Sequence, residues 1–406
     1  MRILLLNLYY PPDTSATAKM AATLVEALSA RHDVTVLCGR PSYDPSERRP
    51  WRLWQTERSG KTTIIRVGST DYSRLQMKRR LLNYLSYVAL AVPRALFQRC
   101  DVVLAMTDPP FEGIVGAIVS MLKGKPYVYN IRDMYPDMAV GGSIVEPGLL
   151  ARVWERMHRW ALRRASRMIV LGVDMRARIM AKGIDSAGIE IVRDGADILP
   201  PDAPPPALDD EIIRAIRGDF RFVFLHAGNL GFYGAWETLI EAAKQLEKTN
   251  PDLGLVFVGE GAQRDRLVEL ADGCKSIRFL PFFPAIKIPS VMAAGDVHVI
   301  TVKKGLEGVV VPSKLYGVLA AGRPILAVTD IASDVSAITQ ERKCGYAASP
   351  QTAVQVFLAM RALAAGGADE PGLKAMGAAA LAAAPDYDRV KELQKFVKII
   401  EGAVKA

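Results

Sequence analysis

Apolar runs and amphipathic segments alternate along nearly the whole chain. Short runs rich in Leu, Val, Ile and Tyr predict buried strands at residues 3–10, 34–38, 102–106, 126–132, 167–172 and 189–192. The segments between them, such as 17–30, 111–122 and 149–164, carry apolar residues at helical spacing. Strands that alternate with helices predict a parallel sheet with helices on both faces. Residues 40–75, rich in Pro, Ser, Arg and Trp, interrupt the pattern as a long insertion.

The same alternation begins again after a proline-rich break. The segment DILPPDAPPPALDD at 197–210 holds five prolines and no periodic pattern, which predicts a linker. Further strands are predicted at 221–228, 253–261, 276–282, 297–302 and 324–329. The predicted fold class is therefore α/β, with two Rossmann-like, doubly wound parallel-sheet domains facing a cleft. The predicted division is an N-terminal domain at 1–199, a linker at 200–210, a C-terminal domain at 211–384 and an amphipathic helix at 385–406.

The basic charge lies entirely in the first half. Of the 406 residues, 1–199 contain 29 Lys and Arg against 19 Asp and Glu, whereas 200–406 have a net charge of −1. This asymmetry indicates an anionic partner such as nucleic acid, anionic lipid or a phosphorylated substrate. No zinc finger or RNA-recognition signature is found, so nucleic acid is not an expected partner.

Two segments concentrate the bases. Lys78, Arg79 and Arg80 precede an apolar helix at 81–97, and a second basic stretch runs over 156–167. Both patterns are typical of a helix lying on a membrane surface, and equally of an ordinary helix with a charged turn. No run approaches the ~20 apolar residues of a membrane span, so the chain is expected to be soluble or peripheral to a membrane. The predicted localisation is cytoplasmic, peripheral on the inner face of the membrane.

The few cysteines and histidines exclude several site classes. Four cysteines lie far apart without a CxxC pair, and the four histidines form no HExxH motif. A disulfide scaffold and a metal site are therefore not expected.

Two glycine-containing segments carry the candidate chemistry. Residues 225–231, LHAGNLG, join a strand to a helix, where glycines let backbone amides approach a phosphate. Residues 303–317, KKGLEGVVVPSKLYG, place Ser313 at a predicted helix start and Lys314 in the first turn. A cation there opposes the helix dipole, and a bound diphosphate would compensate.

The order and spacing of several segments resemble the retaining glycosyltransferases of family 4, which have the GT-B fold. The similar segments are LYYPPDTSATAKMAATLVEAL, NIRDMYPD, GIDSAGIEIVRDGAD, HAGNLG, LVFVGEGAQRDRL and EGVVVPSKLYGVLAAGRPIL. Within that family the chain is similar to hexosyltransferases of polysaccharide and O-antigen biosynthesis, such as N-acetyl-fucosamine transferases. The resemblance implies a nucleotide-sugar donor, with UDP expected, a polyprenyl-diphosphate-linked glycan acceptor, and no cofactor or metal.

The resemblance also implies roles for individual residues. The expected catalytic residues are Glu307, Lys314 and Asp133. The expected donor-binding residues are Gly228, Asn229, Gly231, Gly308, Val309, Pro281, Phe282 and Arg323. On the acceptor side we expect Arg132, Asp108 and Ser15, and at the membrane Lys78, Arg79 and Arg80. Many members carry a second glutamate for the donor ribose, at a position occupied here by Gly317, so the ribose contact has no assigned residue.

Two alternatives remain open at this level. One is a sugar-nucleotide epimerase of the same fold, which would need an acid/base pair of carboxylates around the sugar. The other is a non-enzymatic basic module that binds membrane or nucleic acid, which would leave the glycine turn and the Pro312-Ser313-Lys314 segment without a role.

Overall fold

The computed structural model describes residues 1–41, 50–72, 77–142, 144–200, 202–367 and 370–405, with the backbone alone at 77–78. By internal contacts the chain divides into two units. The first comprises 1–171, 176–192 and 393–406, and the second comprises 172–175 and 193–392. The main boundary thus lies between Val192 and Arg193 rather than in the predicted linker at 200–210.

The first unit is built on an eight-stranded sheet. Its strands are β1 (Arg2–Leu6), β2 (Asp33–Cys38), β3 (Trp54–Ser59), β4 (Thr62–Val67), β5 (Val102–Ala105), β6 (Tyr127–Asn130), β7 (Arg167–Val170) and β8 (Ile189–Ile191). The order is β3-β4-β2-β1-β5-β6-β7-β8, and every pairing is parallel except the β3–β4 hairpin. The hairpin lies inside the predicted insertion at 40–75, where the sequence pattern predicted no strand.

The second unit contains a six-stranded parallel sheet. Its strands are β9 (Phe222–Ala227), β10 (Leu253–Val258), β11 (Ile277–Leu280), β12 (Val297–Thr301), β13 (Ile325–Val328) and β14 (Gly345–Ala348), in the order β11-β10-β9-β12-β13-β14. This is the Rossmann order, and it confirms the predicted fold class of two doubly wound α/β domains. β14 was not predicted, because GYAA is too short and small to stand out as a strand.

Fifteen α-helices lie within the described residues. They are α1 (Ala16–Ser29), α2 (Met77–Leu96), α3 (Glu112–Lys123), α4 (Asp137–Gly141), α5 (Leu149–Arg164), α6 (Val173–Ala181), α7 (Asp210–Arg217), α8 (Trp236–Glu247), α9 (Arg264–Leu270), α10 (Ile288–Ala294), α11 (Lys314–Ala320), α12 (Asp334–Glu341), α13 (Ala353–Ala364), α14 (Pro371–Ala383) and α15 (Arg389–Lys405).

The C-terminal helix belongs to the core of the first unit. Phe396, Val397 and Ile400 of α15 pack with residues of β1, β2 and β5, and each is almost fully buried. The sequence predicts an amphipathic helix from residue 385, for which packing on the fold is the favoured interpretation. Its apolar face completes the sheet packing of the first unit, and burying three large apolar side chains is worth several kcal/mol.

Candidate functional site

The strand order of the second unit reverses between β9 and β12. The turn containing Gly228, Asn229 and Gly231 follows β9, and the loop leading to Lys314 follows β12. In parallel α/β sheets, ligands bind at such a switch point, beyond the carboxyl ends of the strands. The fold therefore brings the two candidate segments of the sequence to one place.

The glycine turn packs against the turn that follows β10. A Cβ atom on Gly259 would come within 2.0 Å of the Gly228 carbonyl oxygen, and one on Gly261 within 2.4 Å of the Leu230 carbonyl oxygen. The amide of Leu230 donates to the Glu260 carbonyl oxygen at 2.9 Å. Only glycine permits this approach of two backbones, so the loops after β9 and β10 form one continuous backbone surface.

Two aromatic residues hold the glycine turn in place. The Trp236 indole Nε1 donates to the Gly231 carbonyl oxygen at 2.7 Å, and the Tyr233 hydroxyl donates to the Asn229 carbonyl oxygen at 2.9 Å. Trp236 is buried in the core of the second unit. Because both carbonyls are engaged, the turn is fixed before any ligand binds.

Lys314 lies directly beside this turn. A Cβ on Gly228 would come within 2.8 Å of the Lys314 Nζ atom. The same Nζ lies 2.9 Å from His226 Nε2. Burial lowers the pKa of Lys314 to about 7. Ser313 precedes α11 as predicted, but its side chain makes no capping hydrogen bond.

His226 is a part of this site that the sequence pattern left as structural. Its side chain is fully buried, and burial together with the Lys314 charge lowers its pKa well below the usual value. Its Nδ1 lies 3.1 Å from the Val299 carbonyl oxygen on the neighbouring strand β12. The signal that could have identified it is its place near the end of β9, two residues before Gly228.

Glu307 folds back on its own loop. The Gly305 amide donates to both of its carboxylate oxygens at 2.9 Å, and Glu307 forms a backbone bridge with Val310. The Val309 amide donates to the Leu306 carbonyl oxygen at 3.0 Å, and the Gly308 amide donates to the Asp174 carboxylate. The amides of Gly308 and Val309, expected to bind the donor sugar, are therefore already engaged within the protein.

Asp174 anchors the loop that carries Glu307. Gly308 has a φ of +65°, and a Cβ there would lie 2.5 Å from the Asp174 backbone. The Asp334 amide donates to the Asp174 carboxylate at 3.1 Å, and Asp334 pairs with Arg193 at 2.9 Å. Burial raises the pKa of Asp174. No sequence motif indicated this support, because its members lie far apart along the chain.

The other predicted donor residues divide between two ends of the sheet. Pro281 and Phe282 follow β11 at the carboxyl end, and the Phe282 ring lies against Gly259 with 55% of the residue exposed. Arg323 instead precedes β13 and interacts with Asp296 and Arg217 at the amino end of the sheet. Arg323 therefore does not lie with the glycine turn, because it precedes β13, whereas the turn follows the carboxyl end of β9.

Polar residues also gather at the carboxyl edge of the first sheet. Asp108 follows β5 and accepts a hydrogen bond from Thr17, and burial raises its pKa. Arg80 lies with its guanidinium carbon 5.4 Å from the centre of the Tyr84 ring, and its positive charge acts on Asp108 and Tyr135. Its buried Nε atom has no hydrogen-bond partner among the described residues.

The residues after β6 extend this group. The charge of Arg132 acts on Asp108, and that of Asp133 acts on Tyr135. The expected acceptor-side residues Arg132, Asp133 and Asp108 thus lie at one sheet edge. Ser15 lies at the same edge, two residues before Thr17, but its hydroxyl accepts from the Ala18 amide at 3.0 Å and caps α1.

The three bases expected at the membrane do not form one group. Arg79 is exposed and lies over the Tyr72 ring, 5.6 Å from its centre, whereas Arg80 joins the polar group beside β5. The Lys78 side chain lies outside the described residues. The described helices include none with the length and apolar content to cross a bilayer.

The described residues contain no group of three or more His, Cys, Asp or Glu side chains that could hold a metal ion. Lys314 brings a positive charge to the glycine turn.

Two family models match the chain in succession. Residues 15–195 match the model of a "Glycosyl transferase 4-like domain", and residues 221–365 match that of "Glycosyl transferases group 1". The first lies mainly in the first unit, and the second contains the glycine turn, Glu307 and Lys314.

Curated relatives include two bacterial proteins. WbjE of Pseudomonas aeruginosa, provisionally named a glycosyltransferase, is 29% identical over 263 residues, which are 63% of this chain and 64% of that protein's length. WcaI of Escherichia coli, provisionally named a colanic acid biosynthesis glycosyl transferase, is 25% identical over 340 residues, which are 79% of this chain and 82% of that protein.

Solved structures share the fold over the full length. Anabaena HepE in complex with UDP has a TM-score of 0.67 at 17% identity, covering 99% of this chain and 100% of that chain. WaaG, a glycosyltransferase involved in lipopolysaccharide biosynthesis, has a TM-score of 0.66 at 17% identity with the same coverage. At these identities the likeness establishes the GT-B fold alone.

Proposed function

Because this chain belongs to the glycosyltransferases that join a 4-like domain to a group 1 domain, we propose that it transfers a sugar from a UDP-sugar to a glycan acceptor hydroxyl, with retention of the anomeric configuration. The setting proposed is bacterial surface-polysaccharide biosynthesis, which the names of WcaI and WaaG support. HepE, whose structure contains UDP, supports the choice of nucleotide.

One observation carries the donor assignment. The Lys314 ammonium lies beside Gly228, on the backbone surface that the turns after β9 and β10 form together. Departure of a nucleotide diphosphate places negative charge on phosphate oxygens, and a fixed cation with nearby amides stabilises that charge. Lys314 would neutralise the diphosphate, and the Glu307 carboxylate would face the transferred sugar.

A metal ion is not required on this proposal, because Lys314 and the turn amides supply the compensation that a divalent cation gives elsewhere. A leaving phosphate oxygen could accept the proton of the attacking hydroxyl, which is why no protein base is assigned. Activity that survives exhaustive chelation would support this part of the proposal.

The decisive test is the change of Lys314 to Ala. We expect UDP affinity and kcat/KM to fall at least about tenfold, because a charge-assisted hydrogen bond contributes roughly 1.5–3 kcal/mol. Calorimetric titration with UDP measures the affinity, and Lys248→Ala on an exposed surface is the matched control. Unchanged UDP affinity in a folded Lys314→Ala protein would contradict the donor site.

We propose that the acceptor is lipid-linked and that the first unit lies peripherally on the inner face of the membrane. α5 exposes Leu149 and Leu150, at 72% and 71%, together with Met157. Arg152 and Arg156 on the same helix are exposed as well. A helix with outward leucines and arginines fits an anionic bilayer surface. Each such base contributes about 1 kcal/mol near anionic lipid.

Liposome cosedimentation tests the membrane surface. The wild type should bind vesicles containing anionic lipid at low salt and dissociate at high salt. The pair Arg152→Gln and Arg156→Gln should weaken binding, while Lys248→Gln with Lys275→Gln, both exposed in the second unit, should not. Equal binding of both variants would contradict the role of α5.

A further inference from the structure

Lys314 has a buried partner that the donor assignment does not explain. Its Nζ lies 2.9 Å from Nε2 of His226, a residue of β9 whose imidazole ring is fully buried. The ring also contacts the Trp236 indole edge to face, with centroids 4.8 Å apart. Trp236 holds the Gly231 carbonyl oxygen of the glycine turn. His226 therefore contacts both Lys314 and Trp236, two residues of the candidate diphosphate site.

The hydrogen bonds of the ring determine its tautomer. Nδ1 faces the Val299 carbonyl oxygen at 3.1 Å, and a carbonyl can only accept, so Nδ1 carries the proton. Nε2 is then the unprotonated nitrogen and accepts a hydrogen bond from the Lys314 ammonium. Burial and the Lys314 charge keep the pKa of His226 well below its usual value, so the ring stays neutral at working pH.

We propose that His226 is a positioning residue for Lys314, which holds the lysine ammonium over Gly228 by accepting its hydrogen bond at Nε2. This inference rests on the donor site proposed above. On this inference, the position and the charge of Lys314 at the start of α11 depend on a neutral imidazole acceptor on β9, rather than on a carboxylate.

A pH dependence of donor binding follows. Burial lowers the pKa of Lys314 to about 7, and a diphosphate binds the charged form. UDP affinity should therefore decrease as pH rises above about 7, by at most tenfold per pH unit. The other titratable group that the Lys314 charge affects is His298 of β12, whose pKa burial lowers to about 4, so it stays neutral in this range.

Two amide substitutions separate positioning from packing, because both remove the imidazole ring and only one of them can offer Lys314 an acceptor. In His226→Gln the side-chain amide oxygen can replace Nε2 as the acceptor for Lys314. In His226→Asn the shorter amide reaches only the position of Nδ1, and so retains the bond to Val299 alone. We expect His226→Asn to weaken UDP binding at pH 7 at least about threefold and to shift the pH profile to lower pH. His226→Gln should remain close to wild type.

The controls distinguish the possible failures. His298→Gln alters a second buried histidine, bonded to the Met292 carbonyl at 3.0 Å, and should leave the UDP profile unchanged. If Lys314→Ala weakens UDP binding but His226→Asn matches wild type in affinity and pH profile, the inference is wrong and the donor site stands. If Lys314→Ala has no effect, the donor site itself fails.

Nitrogen NMR of the wild-type protein provides a test that needs no stable variant. We expect His226 to show an unprotonated Nε2 between pH 6 and 8, with a resonance that moves when UDP binds. A proton on Nε2 of His226 would overturn the proposal, because the ring could then not accept from Lys314.

Discussion

In both units the candidate residues lie at the carboxyl edge of the parallel sheet, but the two edges are built from different groups. At the switch point of the second unit, glycines bring main chains together, and one lysine supplies the charge. At the corresponding edge of the first unit, carboxylates, arginines and tyrosines gather around Asp108 and Arg80. On the proposed function, the edge of the second unit would bind the anionic diphosphate, and the edge of the first unit would bind the hydroxyl groups of the acceptor.

The edge of the second unit is easier to recognise from sequence than the edge of the first unit. A backbone surface needs glycine at fixed spacing, which leaves a motif such as HAGNLG or GEG. A surface made of side chains can draw on any strand end, as with Arg80 from α2 and Asp108 from the loop after β5.

The largest effect should come from a substitution that forces the two glycine turns of the second unit apart. Gly259→Ala places a Cβ within 2.0 Å of the Gly228 carbonyl oxygen. Forced separation of the two turns should cost roughly 2–4 kcal/mol of folding stability and reduce UDP affinity more than tenfold. Gly402→Ala, with open space around its Cβ in α15, is the control for both denaturation and titration. Unaltered UDP binding in Gly259→Ala would mean that the donor does not lie on these turns.

Glu307→Gln should separate sugar from nucleotide within the same edge. The amide retains an oxygen that can accept from the Gly305 amide, so the loop should persist. We expect kcat to fall at least about tenfold while UDP affinity changes little, because UDP alone does not reach the sugar position. Steady-state kinetics and titration measure the two quantities. Loss of UDP binding with a preserved rate would place Glu307 at the nucleotide instead.

Arg80→Gln tests the side-chain edge of the first unit. Removal of this half-buried guanidinium should raise KM for a short soluble acceptor roughly fivefold, through a lost charge-assisted hydrogen bond. UDP affinity should not change, since the donor assignment lies in the second unit. Arg79→Gln, one residue earlier and exposed, is the matched control. A loss of UDP affinity in Arg80→Gln would contradict the assignment of the donor to the second unit and of Arg80 to the acceptor side.

Glu112→Gln should have the smallest effect on ligand binding and should instead change the stability of the first unit and its dependence on pH. Glu112 is fully buried beside Tyr87, and burial raises its pKa to about 8. A carboxyl whose pKa is higher in the folded state loses its stabilising contribution as pH rises from about 4.5 to 8. The Gln variant avoids this loss, so its advantage over wild type should grow across that window and reach at least about 1 kcal/mol at pH 8.

Urea denaturation at pH 5, 6.5 and 8 measures this difference, with Glu146→Gln on the surface as the control. A constant difference across the three pH values would show that the Glu112 carboxyl is already ionised in the folded protein.

The fold class and the two candidate segments around Gly228 and Lys314 could be predicted from the sequence. The alternation of apolar runs and amphipathic helices requires parallel sheets, because each strand must bury both faces. Gly228 and Lys314 stand out locally, since a glycine turn after a strand and a cation at a helix start can each be recognised from a few neighbouring residues. The close approach of Gly259 to Gly228 is a finding of the structure.

Which side chains meet depends on the tertiary structure. The fold places Arg323 beside Asp296 before β13, brings Arg80 to the edge beside Asp108, and joins His226 to Lys314, 88 residues later. It also commits α15 to the core of the first unit and engages the amides of Gly308 and Val309. Such contacts depend on strand order and on the direction of each side chain, and sequence periodicity carries neither between distant segments.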